Sequence, residues 1–136
     1  MTRGDIVLVE DNKTDAMVIA RTLEEKGNAP VKVLDSKDSA SRYFGSLPPV
    51  PRLIILDINL PDGSGLDILL EIRRENRYTE VPVVMLSSSA CADLVSSSYR
   101  NGANCYISKP TSMESFERAL EKLYTYWFTT SRTSSN

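Results

Sequence analysis

The chain contains no histidine among its 136 residues. It therefore has no imidazole base, no histidine metal ligand and no phosphohistidine of its own, and Ser-His-Asp and Cys-His nucleophile sites are excluded. Cysteine is scarce. Cys91 and Cys105 are the two present, and no C-x-x-C spacing indicates a zinc or redox motif. One disulfide can be drawn between them, but nothing marks the chain as exported, so a reduced, cytoplasmic protein is expected. There is no excess of positive charge. Sixteen basic residues face eighteen acidic ones, a net charge of −2, which argues against a nucleic acid held through its phosphates. Long apolar runs are also missing. The longest are of the size of Ile6-Val7-Leu8-Val9 and Leu53-Ile54-Ile55-Leu56, far short of the ~20 residues that span a bilayer. The segment Met1-Thr2-Arg3-Gly4-Asp5 lacks the apolar stretch of a signal peptide. No membrane association is expected.

What the chain does have is alternation. Short, β-branched apolar runs at residues 6–9, 31–34, 53–56, 83–86 and 105–107 read as buried strands. Between them lie helical patterns. Ala16, Ile19, Ala20 and Leu23 recur at helical spacing, and Gly27 closes that segment. Residues 36–44 read as a second, shorter helix, followed by a proline-rich loop over 45–51. Pro61-Asp62-Gly63-Ser64-Gly65 reads as a turn. After it, Leu66, Leu69, Leu70 and Arg73 fall on one helical face. Residues 92–100 form a polar helix stopped by Gly102. In the last helix, Thr111-x-x-Glu114 reads as a capping box, and Phe116, Leu120, Leu123 and Trp127 form the apolar stripe. Residues 1–128 are expected to form one domain, with 129–136 a disordered polar tail. The order βαβαβαβαβα implies an α/β fold, a doubly wound parallel five-stranded sheet with helices on both faces. Ligands of such sheets bind beyond the carboxyl ends of the strands.

The strand ends carry the chemistry. The first run ends in Glu10-Asp11, the third in Asp57, the fourth in Ser87 and the fifth in Lys109. Each has a plain reading on its own. Asp11 and Asn12 can cap the first helix, Asp57 can open a turn, Ser87 can be a loop serine and Lys109 a solvated surface charge. Four strand ends that all carry polar groups are a different matter. Three carboxylates brought together repel one another unless a cation lies between them. Oxygen donors without imidazole or thiolate favour Mg²⁺, which keeps room for water and phosphate oxygens. Lys109 and the Ser87 hydroxyl could then meet phosphoryl oxygens, and one carboxylate could attack to give an acyl phosphate. Asp57, at the end of the central run, is the best candidate nucleophile, with Glu10 and Asp11 holding the ion.

This order of residues, together with Asp57-Ile58-Asn59-Leu60-Pro61-Asp62-Gly63-Ser64-Gly65 and Lys109-Pro110, resembles the receiver domain of bacterial response regulators over about residues 5–127. The resemblance implies a flavodoxin-like sheet of strand order 2-1-3-4-5. It implies Mg²⁺ (or Mn²⁺) bound by Glu10, Asp11, Asp57 and the backbone carbonyl of Asn59, and phosphoryl transfer to Asp57 from a sensor histidine kinase or phosphotransfer protein. It implies a cis bond before Pro110. It further implies a switch in which Ser87 is drawn to the phosphoryl group and the aromatic Tyr106 moves into the vacated space, reshaping the face of the fourth helix, fifth strand and fifth helix. Tyr106 could equally be an ordinary amphipathic tyrosine at a sheet edge. Some positions depart from the commonest pattern of the family. Ser87 stands where threonine is usual, and Thr111 where an apolar residue is frequent. Asn59 and Ser89 occupy the positions that tune water access.

In the last helix, Tyr124 and Phe128 stand i, i+4 and off the main stripe. They are either local packing or a partner face, for instance of a homodimer. Together with residues 102–110 they are similar to single-domain receivers that accompany phytochrome-type kinases. The expected function is thus a phosphoacceptor signalling module that is not a turnover enzyme. Its alternatives are a constitutive pseudo-receiver that binds partners without phosphate, and a small Mg²⁺-dependent phosphatase.

Overall fold

The computed structural model describes residues 5–27, 30–88 and 91–130, with backbone alone for 129 and 130. Five parallel strands form one sheet: β1 (Ile6–Val9), β2 (Val31–Leu34), β3 (Leu53–Asp57), β6 (Val83–Ser87) and β7 (Cys105–Ser108), in the order β2-β1-β3-β6-β7. Two dipeptide strands, β4 (Asn59–Leu60) and β5 (Gly63–Ser64), pair antiparallel in a hairpin outside the sheet. Counting only the strands of the main sheet, the order is the expected 2-1-3-4-5. The turn of this hairpin, at Pro61-Asp62, falls where a turn is expected, and Gly63–Ser64 after it pairs back as a short strand.

The central strands β1, β3 and β6 are buried along their whole length, which is why they read as unbroken apolar runs. Their side chains alternate between two cores. Val7, Val9, Ile54, Leu56, Val83 and Met85 face α2 (Lys37–Gly45) and α3 (Gly65–Arg74). Ile6, Leu8, Leu53, Ile55, Val84 and Leu86 face α1 (Lys13–Gly27) and α5 (Met113–Thr125). The fourth helix, α4 (Ala92–Arg100), lies on the first of these faces, where Leu94 packs against the core.

Several local expectations change. The buried face of α3 is Gly65, Ile68, Leu69 and Ile72, whereas Leu70 points outward. The stripe runs i, i+3, i+4, i+7 from Gly65, and Leu70, five positions on, falls off it. Arg73 is not a member of the apolar face. Its guanidinium donates to the carbonyls of Tyr78, Val81 and Gly102 and to Asn104 Oδ1, at 2.8 to 2.9 Å, and so ties together two loops at the amino end of the sheet. Gly102 does end α4, with φ +104° in the left-handed region that glycine tolerates. The cap of α5 is Ser112, whose hydroxyl accepts from Ser115 N–H at 3.1 Å, and not Thr111.

Past Thr125 the last helix widens into a π-type turn over Tyr126–Thr130, so the helical path runs beyond residue 128. The expected tail from 131 onward lies outside the described residues. Tyr124 and Phe128 pack on one another and stay partly exposed at the end of the last helix. Their ring centroids are 4.7 Å apart, both lie against the α1–α5 core, and the Arg52 guanidinium stands over the Phe128 ring. Both cysteines are free. No helix among the described residues is long and apolar enough to cross a membrane.

The start of α3 fixes the loop after β3. Gly65 N–H donates to Ile58 O at 2.9 Å, and a side-chain carbon at Gly65 would overlap the backbone carbonyl of Asp57. Backbone cannot give way as a flexible side chain can. Gly65→Ala should therefore destabilise the fold by about 1–3 kcal/mol through overpacking, read as a lower urea midpoint. Gly45→Ala, where nothing lies within 4 Å of the added carbon, is the control and should be neutral or slightly stabilising.

Candidate functional site

Register builds the site. β1 and β3 are neighbours, with Val9 opposite Leu56, so the next residues, Glu10 and Asp57, emerge side by side. β1 also pairs with β2 on its other side. The chain thus reverses direction across the sheet between β1 and β3, which is where open α/β sheets bind ligands. Asp57 lies opposite Leu86 on β6, and Ser87 lies opposite Ser108 on β7, which delivers Lys109 at the next step. Lys109 N–H donates to Ser87 O at 2.7 Å and fixes that step.

Lys109 is the centre of the arrangement. Its Nζ lies 2.6 Å from Glu10 Oε1, 3.0 Å from Asp15 Oδ2 and 3.1 Å from Asp57 Oδ2. Its side chain is only 13% exposed, and those of Glu10 and Asp57 are 0% and 5% exposed. Glu10 Oε2 accepts from Asn12 N–H at 3.1 Å, and Asp57 Oδ1 accepts from Asn59 N–H at 3.0 Å. Asn12 takes the capping role: its Oδ1 accepts from Asp15 N–H at 2.9 Å at the start of α1. Asp11 is exposed beside Glu10. A cleft of about 420 Å³ opens next to both, walled in part by Lys13, Asp35 and Ser39.

Carboxylate oxygens of Glu10, Asp11 and Asp57 all lie within 4.8 Å of one another. Such a set of hard, negative donors suits a divalent cation. A further observation agrees. Glu10 Oε1 is fully buried and makes no well-directed hydrogen bond, its contact with Lys109 being an ion pair of poor angle. Burial, reinforced by the adjacent Asp57 carboxylate, pushes the Glu10 carboxyl up to about 8. Burial alone would lower the Lys109 ammonium, but the facing carboxylates Glu10, Asp15 and Asp57 prevail and hold it above the ordinary lysine range.

The sequence reading brought together Glu10, Asp11, Asp57, Ser87 and Lys109, and the structure places all five at one edge of the sheet. Ser87 is fully buried. Tyr106 is half-buried against the α2–α3 core, and its N–H donates to the Tyr99 hydroxyl at 3.1 Å. Ser89 lies outside the described residues. The expected cis bond before Pro110 is corrected, since no peptide bond among the described residues is cis. Trans is the lower-energy isomer of an X–Pro bond by about 0.5–1 kcal/mol, and with it Lys109 already reaches its carboxylate partners. The sequence reading missed Asp15. Its one signal was a carboxylate in the first turn of a helix that opens at a functional strand end, a position ordinarily explained by the helix dipole. Asp62 lies in the turn expected there, and it also accepts from the N–H groups of Lys37 and Asp38, at 2.7 and 2.8 Å, bonds that hold its carboxyl below the usual range. The hairpin that follows Asp57 is thereby pinned to the start of α2.

Comparison with known proteins gives this site its family. The model of the response regulator receiver domain matches residues 6–121. The chain belongs to the receiver-domain family of response regulators. This receiver is 35% identical over 127 residues to the probable methanogenesis regulatory protein FilR2 of Methanothrix harundinacea, covering 90% of this chain and 82% of that one. It is 30% identical over 136 residues to the response regulator Rcp1 of Synechocystis, covering 92% and 89%. Among solved structures, the phosphorylated cyanobacterial phytochrome response regulator RcpA matches with a TM-score of 0.89 at 29% identity, over 98% of this chain and 99% of RcpA. The Mn²⁺-bound form of Rcp1 matches with a TM-score of 0.87 at 28% identity, over 96% and 98%. The fold is the CheY-like flavodoxin fold, and the receiver is of the two-component type close to Rcp1 and RcpA.

The carboxyl shift has a measurable sign. A carboxyl group raised on folding from 4.5 to about 8 binds its proton more tightly in the folded state. Its contribution to stability is therefore greatest below the unfolded value and is lost as pH climbs through the folded one. The lysine, raised above 10.5, contributes a constant amount over that window. In protein stripped of divalent ions, the stability of wild type relative to Glu10→Gln should fall between pH 5 and pH 8. Urea unfolding at a series of pH values reads this, and a flat difference would refute the raised carboxyl.

Proposed function

We propose that this receiver accepts a phosphoryl group on Asp57 from a phosphohistidine of a sensor histidine kinase or phosphotransfer protein, with Mg²⁺ (or Mn²⁺) as its cofactor. The observation that carries the reading is the convergence of one ammonium and a cation-competent carboxylate set on Asp57. Asp57 lies at the topological switch point next to Glu10, which together with Asp11 lines the cleft of about 420 Å³. Glu10, Asp11 and Asp57 would hold the ion, with the Asn59 carbonyl, on the hairpin pinned by Asp62, as a further oxygen. When bound, the ion supplies charge neutralisation for the carboxylates and the phosphoryl oxygens.

The chain's own residues do the rest. An Asp57 carboxylate oxygen attacks phosphorus in line, and the new O–P bond forms as the P–N bond to the donor imidazole breaks. The electron pair of that bond leaves with the imidazole, which takes its proton from solvent. Lys109 faces the charge that spreads over the non-bridging oxygens, and the dry surroundings of Glu10 and Asp57 strengthen that interaction. The product is an aspartyl anhydride. Ser87, buried on β6 next to the site, is positioned to donate its hydroxyl to the phosphoryl group. Tyr106 is the partner of that movement. Its backbone bond to Tyr99 links β7 to α4, so a shift of Tyr106 is felt on the face shared by α4, β7 and α5. Phosphorylation then acts as a population shift between two packings of that face.

Incubation with acetyl phosphate and Mg²⁺, followed by intact-mass measurement under conditions that preserve acyl phosphates, tests the reading. Wild type should gain one phosphoryl group, and Asp57→Asn should gain none. Removing divalent ions with a chelator should abolish the adduct. Absence of an adduct in wild type would instead favour a pseudo-receiver that binds partners constitutively.

A further inference from the structure

Asp15 stands apart from the other acids of the site. It is brought to the site by the first turn of α1, a turn fixed by the bond from its own N–H to Asn12 Oδ1 at 2.9 Å. Its Oδ2 lies 3.0 Å from Lys109 Nζ, across 94 residues of sequence. It is not among the carboxylates whose oxygens approach within 4.8 Å of one another. Its side chain is 29% exposed, against 0% for Glu10 and 5% for Asp57. Lysine has three ammonium protons and no acceptor, and three carboxylates surround this one. Two of the three, Glu10 and Asp57, belong to the proposed cation set. Asp15 does not.

The ammonium and a divalent ion are like charges that draw on the same two carboxylates. Each therefore weakens the other's hold on Glu10 and Asp57. A third carboxylate that faces the ammonium but lies outside the cation set changes this competition. It gives Lys109 a counter-charge to keep when Glu10 and Asp57 turn to the ion. We infer that Asp15 is a positioning residue acting through Lys109, holding the ammonium in the pocket while it releases Glu10 and Asp57 to the divalent ion and the incoming phosphoryl group. This rests on the proposed function and deepens it: the occupancy of the cation site is set in part by a residue that does not bind the cation.

The alternative role for Asp15 is a direct one, in which its negative charge merely adds to the field at the ion. A double-mutant cycle separates the two. Mn²⁺ binding is measured by electron paramagnetic resonance, at fixed pH and ionic strength, on the full chain. Asp15→Ala should weaken Mn²⁺ binding about tenfold, which corresponds to roughly 1.4 kcal/mol of binding free energy. Asp15→Asn, which keeps an oxygen that can accept from the ammonium, should recover a large part of the loss. In a Lys109→Ala background, Asp15→Ala should change Mn²⁺ binding less than about twofold, since the group it acts through is gone.

Equal losses in both backgrounds would overturn the inference, whether they came from a direct field effect or from weakening of the first turn of α1. Wild-type affinity in Asp15→Ala would overturn it as well. In both cases the metal reading would stand, because wild type still binds Mn²⁺. Failure of wild type to bind Mn²⁺ at all is a distinct result, one that overturns the cation site and this inference with it. Urea midpoints of each variant confirm that the folded protein is being measured.

Discussion

One ammonium set among three carboxylates is the interaction on which the rest of this molecule depends. Glu10, Asp15 and Asp57 all lie within 3.1 Å of Lys109 Nζ, and Asp11 stands beside them. Four carboxylates and one ammonium leave an excess of negative charge in a place where two of the acids are almost wholly shielded from water. Such an excess must be relieved, by protonation or by a further cation. Without an ion, the relief falls on Glu10, the most deeply buried of the acids, whose carboxyl is pushed up to about 8. The same excess makes the site receptive to a divalent ion. A pocket neutralised completely by its own lysine would have little reason to bind one.

The remainder of the fold serves to hold this imbalance in place. The parallel register delivers Glu10 and Asp57 at one level of the sheet, and Lys109 one step beyond Ser87. The two apolar cores above and below make the central strands rigid along their length. The segment leaving Asp57 is fastened at both ends, to α3 by the bond from Gly65 N–H to Ile58 O and to α2 by the bonds that Asp62 accepts. Under the proposed function Asp57 gains from such fastening, because positioning is the larger part of phosphoryl-transfer catalysis. Asp62 achieves its share by capping a helix with a charge from a different element. The helix dipole thereby becomes a fixed point for the loop next to Asp57.

The parts of this arrangement that were legible in the sequence are those written in local pattern. The apolar runs at 6–9, 53–56 and 83–86 can hardly be anything but strands buried on both faces, and their final residues were therefore placed correctly at one edge. Details that depend on tertiary partners were not legible. Leu70 looks like a core residue by composition, yet α3 begins at Gly65 and its stripe turns away from that side chain. Thr111 satisfies the spacing of a capping box, but the chain enters the helix one residue later and Ser112 caps it. Arg73 falls by spacing on the face of the leucines and in fact donates to acceptors from two loops. Asp15 fits the helix dipole so well as a first-turn acid that its second role leaves no local trace. For Asp15, and for the Gly102 and Asn104 acceptors of Arg73, the missing information is the identity of a residue brought near by the fold from dozens of positions away.

The charge excess also bears on why modification at such a site can act as a switch. A phosphoryl group adds roughly −1.5 to −2 charge and three acceptor oxygens to a pocket already short of positive charge. Under the proposed function, that addition cannot be absorbed by the carboxylates, which only repel it. It must be met by the lysine, by the cation and by hydroxyl or backbone donors drawn in from nearby. Lys109 already divides itself among three acids, so further stabilisation has to come through movement, and the proposal gives that part to Ser87 on β6. The adjacent strand β7 is an edge strand with a neighbour on one side only, and the hydroxyl of Tyr99 accepts its outward N–H at Tyr106. A strand with a single partner yields more readily than β1, β3 or β6, each enclosed by two. In that proposal the electrostatic demand is made at the centre of the sheet and the response emerges at one of its edge strands.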